Sequence, residues 1–215
     1  MNIKVLLLIA LFAFPIYSQQ GTDCGEVTKR LAAANKKLND WPELSRYKEA
    51  NEKVAPPKKG ENRVVFMGDS ITDLWDNDGF GGFFPGKPYI DRGIGGQTTP
   101  QMLLRFRQDV VDLKPKVVII FAGTNDISGN TGPMTLQQTG DNIASMAEIA
   151  AANGIRVVIT SVTPVSDTVK KADGTYYTQT KSRPPAKIVE MNKWLKSYAE
   201  KHRLTYLDYY SAMVD

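Results

Sequence analysis

A chain of 215 residues, 42% hydrophobic and 23% charged, carries enough apolar material for one sizeable core, which excludes a disordered or low-complexity protein. Its net charge of +4 is spread along the sequence, so nucleic acid is not an expected partner, and runs such as "PPKKG" and "TVKK" read as solvated surface. One cysteine, Cys24, cannot form an internal disulfide, so the fold must hold by packing.

The first stretch, "MNIKVLLLIALFAFPIYSQQ", combines a basic start at Lys4, an apolar run from Val5 to Phe14 and the small Ser18. Residues 1–18 read as a signal peptide, because the run is too short for a bilayer anchor. Cys24 follows in "GTDC", without the Leu-and-small-residue approach of a lipid-modified cysteine. A free secreted or periplasmic protein is expected, with no stable membrane span after signal removal. Residues 19–60 then form an N-terminal helical extension and linker, and residues 61–215 the main domain. Within the extension, Leu38, Trp41, Leu44 and Tyr47 recur at threes and predict a helix over 38–53 that packs on the main body. "VAPPKKGEN" ends it as a linker.

From residue 63 the pattern becomes regular. Apolar β-branched runs at "RVVFMG", "YIDRGI", "KVVIIFAG", "RVVITSV" and "LTYLDYY" alternate with helix-period segments. "TPQMLLRFRQDVVDL" places Leu103, Phe106, Val110 and Leu113 on one face, with Thr99 as N-cap and Pro100 at the first helical position. "MTLQQTGDNIASMAEIAAANG" stops at Asn153-Gly154, and the segment after Pro184 aligns Ile188, Met191, Leu195 and Tyr198. Continuous apolar strands between amphipathic helices predict a three-layer α/β/α sandwich on a five-stranded parallel sheet, flavodoxin-like in topology. Ligands of such sheets bind beyond the carboxyl ends of the strands.

Three of those ends carry polar or glycine-rich turns. Gly68-Asp69-Ser70-Ile71-Thr72 follows the first strand. Ser70 reads either as a helix cap, with Asp73 three residues on, or as a nucleophile whose own N–H helps hold an oxyanion. In "RGIGGQTT", Gly95 and Gly96 are turn formers or, lacking side chains, N–H donors to a reacting oxygen. In "FAGTNDI", Asn125 and Asp126 are turn residues, or Asn125 offers an uncharged carboxamide donor to the same oxygen.

"VVFMGDSITD", "RGIGGQTT" and "AGTNDI" together resemble, in order and spacing, the first three sequence blocks of the GDSL, or SGNH, hydrolases, a family of esterases and lipases. The likeness runs from about Arg63 to Tyr210. It implies Ser70 as nucleophile, with Gly96 and Asn125 joining the Ser70 N–H in the oxyanion hole. It implies acyl transfer to serine and hydrolysis by water, with no metal or organic cofactor.

The family's fourth block, an Asp-x-x-His after the last strand, has no match here. The catalytic His and Asp it would supply are absent from the chain, which stops at "LDYYSAMVD". The only histidine, His202, precedes the last strand and so enters the sheet at its amino edge, roughly 17 Å of strand away from Ser70. It reads as a helix C-terminal cation. Loss of the base costs on the order of 10⁶ in kcat, so the sequence is expected to be a C-terminally truncated serine esterase with little activity.

The substrate expectation is a small-molecule or carbohydrate ester with a short acyl or acetyl group. Asp69, Trp75 and Asp126 are substrate-side candidates. Trp75 serves equally as acyl-pocket wall or as core. Tyr176 and Tyr177, on the long loop 163–185, either stack on a sugar or stand as ordinary surface tyrosines. Two rivals share the architecture: an acyl- or glycan-binding module without turnover, and a flavodoxin-like flavin or nucleotide binder. The second lacks a phosphate-cradling glycine motif after the first strand.

Overall fold

The structure, a computed structural model, describes residues 24–75 and 82–214. The expected signal peptide lies outside the described residues. The chain divides into two compact units, 1–39 and 40–215. In the first, helix α1 (Cys24–Asn39) pairs Arg30 with Glu26 one turn earlier, and Cys24 and Leu38 are exposed.

The second unit is built on five parallel strands: β1 (Val64–Gly68), β2 (Tyr89–Gly93), β3 (Val117–Phe121), β4 (Arg156–Thr160) and β5 (Thr205–Leu207). Their order is β2-β1-β3-β4-β5, so the connections change direction between β1 and β3. Alternate residues Val65, Met67, Val118, Ile120, Val157 and Ile159 turn to one face, which is fully buried. Helices α4 (Thr99–Asp109), α6 (Leu136–Ala152) and α8 (Pro185–Lys201) share its core through Met102, Phe106, Ile143, Met146, Ile188, Met191 and Leu195. On the opposite face Phe66 packs edge-on or stacked against Trp75, Phe83 and Phe84 of the β1–β2 connection and tilted against Tyr89 at the start of β2. Val117, Ile119 and Val158 on that side are only half-buried.

The helix boundaries refine the sequence pattern. The N-cap of α4 is Thr98 rather than Thr99: Gln101 Oε1 accepts from the Thr98 N–H at 3.1 Å, a capping box that shifts the start by one residue. Helix α6 starts at a second box, Thr135 with Gln138, and stops at Asn153 before the left-handed Gly154.

The expected helix over 38–53 does not form. α1 ends at Asn39, and only Lys48–Glu52, α2, is helical beyond it. Asp40 is the cause: its two carboxylate oxygens accept from the N–H groups of Leu44 (2.6 Å) and Ser45 (3.0 Å), closing a turn around Pro42. Pro42 disfavours helical backbone at Trp41, and Glu43 adopts a left-handed φ of 55°. Residues 40–54, read as extension, belong to the larger unit. They attach by main-chain carbonyls and not by an apolar stripe. Trp41, Pro42 and Leu44 carbonyls accept from the side chains of Gln101, Gln97 and Gln108, and the Tyr47 hydroxyl donates to Gly93 O. Burial first, then the nearby Asp91 and Asp73 carboxylates, push the Tyr47 hydroxyl up to about 12.

One buried cation organises this end of the sheet. Arg105, with no exposed surface, donates to Gly68 O at the end of β1 (3.1 Å), to Gln97 Oε1 in the turn after β2 (2.6 Å) and to Asp109 Oδ2 (3.0 Å). Asp109 Oδ1 accepts in turn from Asn51 Nδ2 at 2.7 Å. Removing one member leaves a buried charge alone, at a cost of about 3–5 kcal/mol. Arg105→Ala is therefore expected to lower unfolding free energy in urea by about that amount, and Arg105→Met combined with Asp109→Leu to regain a large part. A double variant no more stable than Arg105→Ala counts against the pair as the source of the loss.

Candidate active site

The direction change between β1 and β3 opens a crevice at the carboxyl ends of these strands, the place where open α/β sheets bind ligands. The turns after β1, β2 and β3 meet there. β1 ends at Gly68 and runs at once into α3 (Ser70–Asp73). Two glycines permit the tight descent. A Cβ on Gly68 would stand 2.1 Å from Thr72 Oγ1, and one on Gly93 would stand 2.1 Å from the Asp73 nitrogen. Any larger residue would lift α3 off the strand ends and carry Ser70 with it.

The cap of α3 is Asp69, whose Oδ1 accepts from the Ile71 N–H at 3.0 Å. Ser70 is thereby the first helical residue and not the cap. It lines a cavity of about 520 Å³ with Ile71, Leu74, Trp75, Phe121, Thr163, Tyr209 and Met213. Trp75 lines this cavity and also packs against Phe66, Phe83 and Phe84.

The glycine turn lies alongside. A Cβ built on Gly95 would be 3.8 Å from Ser70 Cβ, and the Gly95 N–H donates to Asp73 Oδ2 at 3.0 Å. Gly96 has a left-handed φ of 78°, and its carbonyl accepts from Asn130 Nδ2 at 3.0 Å. The third turn, α5 (Thr124–Ile127), begins after Gly123. Asn125, 3% exposed, donates from Nδ2 to Gln97 O at 3.0 Å, and its Oδ1 accepts from Arg183 Nη2 at 3.1 Å. The turns of Gly96 and Asn125 are thus pinned to one another.

Asp69 and Asp126 are buried, and neither lines the cavity. Asp126 accepts from the Thr99 N–H (3.1 and 3.2 Å) and the Thr99 hydroxyl (2.5 Å), joining α5 to the start of α4. Its carboxylate is thus engaged inside the fold rather than exposed at the cavity. His202 is the C-cap of α8, stacked on Tyr198 with ring centroids 4.3 Å apart. It leads into the amino end of β5, whereas Ser70 follows the carboxyl end of β1, so in a parallel sheet the two occupy opposite edges. Gln97, Arg105 and Arg183 went unread in the sequence. Arg105 and Asp109 were detectable, because with Met102 and Phe106 they complete a buried stripe at i, i+3, i+4 and i+7.

This layout defines an α/β protein with a crevice at the β1–β3 switch point. The sequence profile of the GDSL-like Lipase/Acylhydrolase family matches residues 66–215, and the chain belongs to that family. It is similar to a GDSL-like lipase from Bacteroides thetaiotaomicron VPI-5482, at 42% identity and a TM-score of 0.71 over 81% of each chain. A candidate acylhydrolase from Bacteroides fragilis NCTC 9343 shares 44% identity with a TM-score of 0.72, over 82% of this chain and 81% of that one. Among curated proteins, platelet-activating factor acetylhydrolase IB subunit alpha1 of Rattus norvegicus is 32% identical over 84 residues, 38% of this chain and 36% of its own. The uncharacterized lipoprotein YqeF of Bacillus subtilis is 30% identical over 112 residues, 51% of this chain and 46% of its own. The chain therefore spans less than half the length of these two curated relatives. No helix among the described residues is long and apolar enough to cross a membrane.

The electrostatics of the turn after β1 give a measurable signature. Asp69 Oδ2 is buried without a hydrogen-bond partner among the described residues, and burial raises the carboxyl from 3.8 to about 6, opposed by the Ile71 N–H and Arg183 and aided by Asp126. The folded state thus holds this proton more tightly than the unfolded chain does. The stability so gained is whole below about pH 4 and is lost as pH rises through about 6. Asp69→Asn keeps an acceptor for Ile71 and never ionises. Its melting temperature relative to the parent is expected to climb between about pH 4 and pH 6 and to stay level above. A difference that does not vary with pH contradicts this assignment.

Proposed function

We propose that the protein is a serine hydrolase of carboxylic esters, with short acyl or acetyl groups as the transferred part. The observation that carries this reading is the proximity of three strand-end turns: Ser70 on the wall of the cavity, Gly95 beside Ser70, and Asn125 bonded to Gln97 O in that same glycine turn, with neither Gly96 nor Asn125 in the cavity lining itself. Membership of an acylhydrolase family supports the same chemistry.

In the proposed sequence Ser70 Oγ attacks the ester carbonyl. The developing oxyanion takes hydrogen bonds from the N–H groups of Ser70 and Gly96 and from Asn125 Nδ2. Collapse expels the alcohol and leaves an acyl-serine, which water then hydrolyses. The Ser70 N–H lies in the first turn of α3, where main-chain N–H groups have no partner within the helix. Deprotonating Ser70 needs a general base. His202, on the far edge of the sheet, does not reach it, so the reading places the base in an Asp-x-x-His segment that these 215 residues do not contain.

The apolar wall of Ile71, Leu74, Trp75 and Phe121 suits a short acyl chain, and the rat relative named an acetylhydrolase supports a small acyl group. Tyr176 and Tyr177 are exposed on the loop after β4, each beneath a lysine at 5.5 Å, which suits a carbohydrate alcohol portion. A secreted or periplasmic location completes the proposal, with residues 1–18 as signal. The second reading, an acyl- or glycan-binding module, is favoured by the absence of any base at the cavity among the described residues.

Hydrolysis of p-nitrophenyl acetate and butyrate separates the two. Measurements are made on this chain and on a chain carrying an Asp-x-x-His segment after residue 215, each beside its Ser70→Ala variant. Ser70-dependent turnover is expected to rise by several powers of ten with the added segment, in line with the roughly 10⁶ that a triad base contributes to kcat. Equal rates for the extended chain and its Ser70→Ala variant refute the esterase and leave the binding module.

A further inference from the structure

The long segment between β4 and α8 returns to the sheet through Arg183, a residue outside the three family-like blocks. The segment is tied to itself on the way: Asp167 Oδ1 accepts from the Thr180 N–H at 2.9 Å, and Oδ2 accepts from the Thr180 hydroxyl. The last turn before Arg183 is α7 (Gln179–Ser182). From there the guanidinium spreads three donors. Nη1 reaches Gln179 Oε1 at 2.6 Å, Nε reaches Thr124 Oγ1 at 3.1 Å and Nη2 reaches Asn125 Oδ1 at 3.1 Å.

Those contacts decide which way the Asn125 carboxamide faces. A guanidinium only donates and a main-chain carbonyl only accepts. Arg183 on one side and Gln97 O on the other therefore allow one orientation, and a flipped amide would set oxygen against oxygen and nitrogen against nitrogen. Of the two Nδ2 hydrogens, Gln97 O takes one. The second is the donor left over.

Charge adds a second effect. The crevice is flanked by two buried carboxylates, Asp69 and Asp126, and an oxyanion forming beside them meets their repulsion. Arg183 supplies the opposing positive charge, and its field already reaches Asp69. Its bond to Oδ1 also draws electron density from the amide, which strengthens the remaining N–H as a donor.

We propose that Arg183 is the positioning residue of the oxyanion site: it fixes the Asn125 carboxamide so that one N–H faces the oxygen of the reacting ester. The inference rests on the serine-hydrolase reading for its consequence in catalysis, but not for the hold on Asn125. Its effect on rate passes through Asn125, and the long β4–α8 segment becomes the element that sets the site.

The test has two arms. In the first, ¹H–¹⁵N spectra of the chain are recorded for the parent, Arg183→Lys and Arg183→Met. The Asn125 side-chain pair is assigned by its disappearance in Asn125→Ala. Arg183→Met is expected to shift and broaden this pair while most backbone amides stay in place, and Arg183→Lys to restore much of the parental position. If Arg183→Met does not fold, Arg183→Gln, which keeps donors but no charge, takes its place with the same expected shift. An unmoved Asn125 pair in a folded variant overturns the proposal.

In the second arm, Ser70-dependent hydrolysis of p-nitrophenyl acetate is measured for the same variants in the chain carrying the added segment. Removing an oxyanion donor outright costs about 10²–10³ in kcat, so misaligning it is expected to cost about 10–100-fold. KM stays near the parental value, and Arg183→Lys recovers part of the rate. An unchanged kcat in folded Arg183→Met beside an active parent also overturns the proposal. If the extended chain and its Ser70→Ala variant turn over equally, the serine-hydrolase reading falls, and the spectra alone decide the role of Arg183.

Discussion

The functional end of this protein depends on a guanidinium with no access to water. Arg105 lies in a helix whose neighbouring inward residues, Met102 and Phe106, are fully apolar, yet it spends its donors on three separate elements. A buried arginine costs several kcal/mol in desolvation unless its charge and donors find partners. Here Asp109 neutralises the charge from one helical turn away, and the partner pair still yields two donors to the site, for Gly68 O and Gln97 Oε1. Replacing such a pair by apolar residues is often neutral for stability. Its distinctive contribution is directional: it fixes the end of β1 and the turn after β2 with respect to one helix.

The consequences pass outward by single hydrogen bonds. Gln97, held by Arg105 through its side chain, offers its main-chain carbonyl to Asn125. Gly68, held through its own carbonyl, sits two residues before Ser70, and the lack of a Cβ lets α3 settle directly upon it. The segment 40–54 closes the network from outside, since Pro42 O accepts from Gln97 and Asn51 donates to Asp109. A stretch read in sequence as an extension therefore completes the satisfaction of buried polar groups, which otherwise would each cost of order 1–3 kcal/mol.

Much of the frame was legible in the sequence. Five apolar runs gave five strands, and the 3.6-residue periodicity of α4, α6 and α8 gave their buried faces, because burial on a parallel sheet leaves a strong one-dimensional signature. Ser70, Gly96 and Asn125 stood out as polar or glycine positions at strand ends. Periodicity misled over residues 38–53, where apolar residues at threes were no match for one aspartate that bonds two main-chain N–H groups and the proline between them. Arg105 and Asp109 fit the periodicity of α4, but an arginine and an aspartate one turn apart normally denote a solvated face, so their charge masked the signal. Arg183 had no local signal at all. Its meaning arises only when a loop of about twenty residues brings it back to Asn125.

The same geometry explains why two carboxylates stand close to the site proposed to hold an oxyanion. Asp69 caps α3 and Asp126 ties α5 to α4, so both are structural acceptors that the tight turns require. Burial raises the pKa of each, which reduces the negative charge they present as pH falls. Neutral donors at Gly96 and Asn125 add no countercharge of their own, so any oxyanion held there feels those carboxylates unless a cation stands nearby. Arg105 is already committed to Asp109. Arg183 has hydrogen-bond partners in Thr124, Asn125, Gln179 and Ser182 that are all uncharged, so none of them neutralises its positive charge. Two arginines thus divide the structural work: one, neutralised and sealed, holds the turns after β1 and β2, and the other, with its charge uncompensated by those contacts, holds the Asn125 carboxamide of the turn after β3.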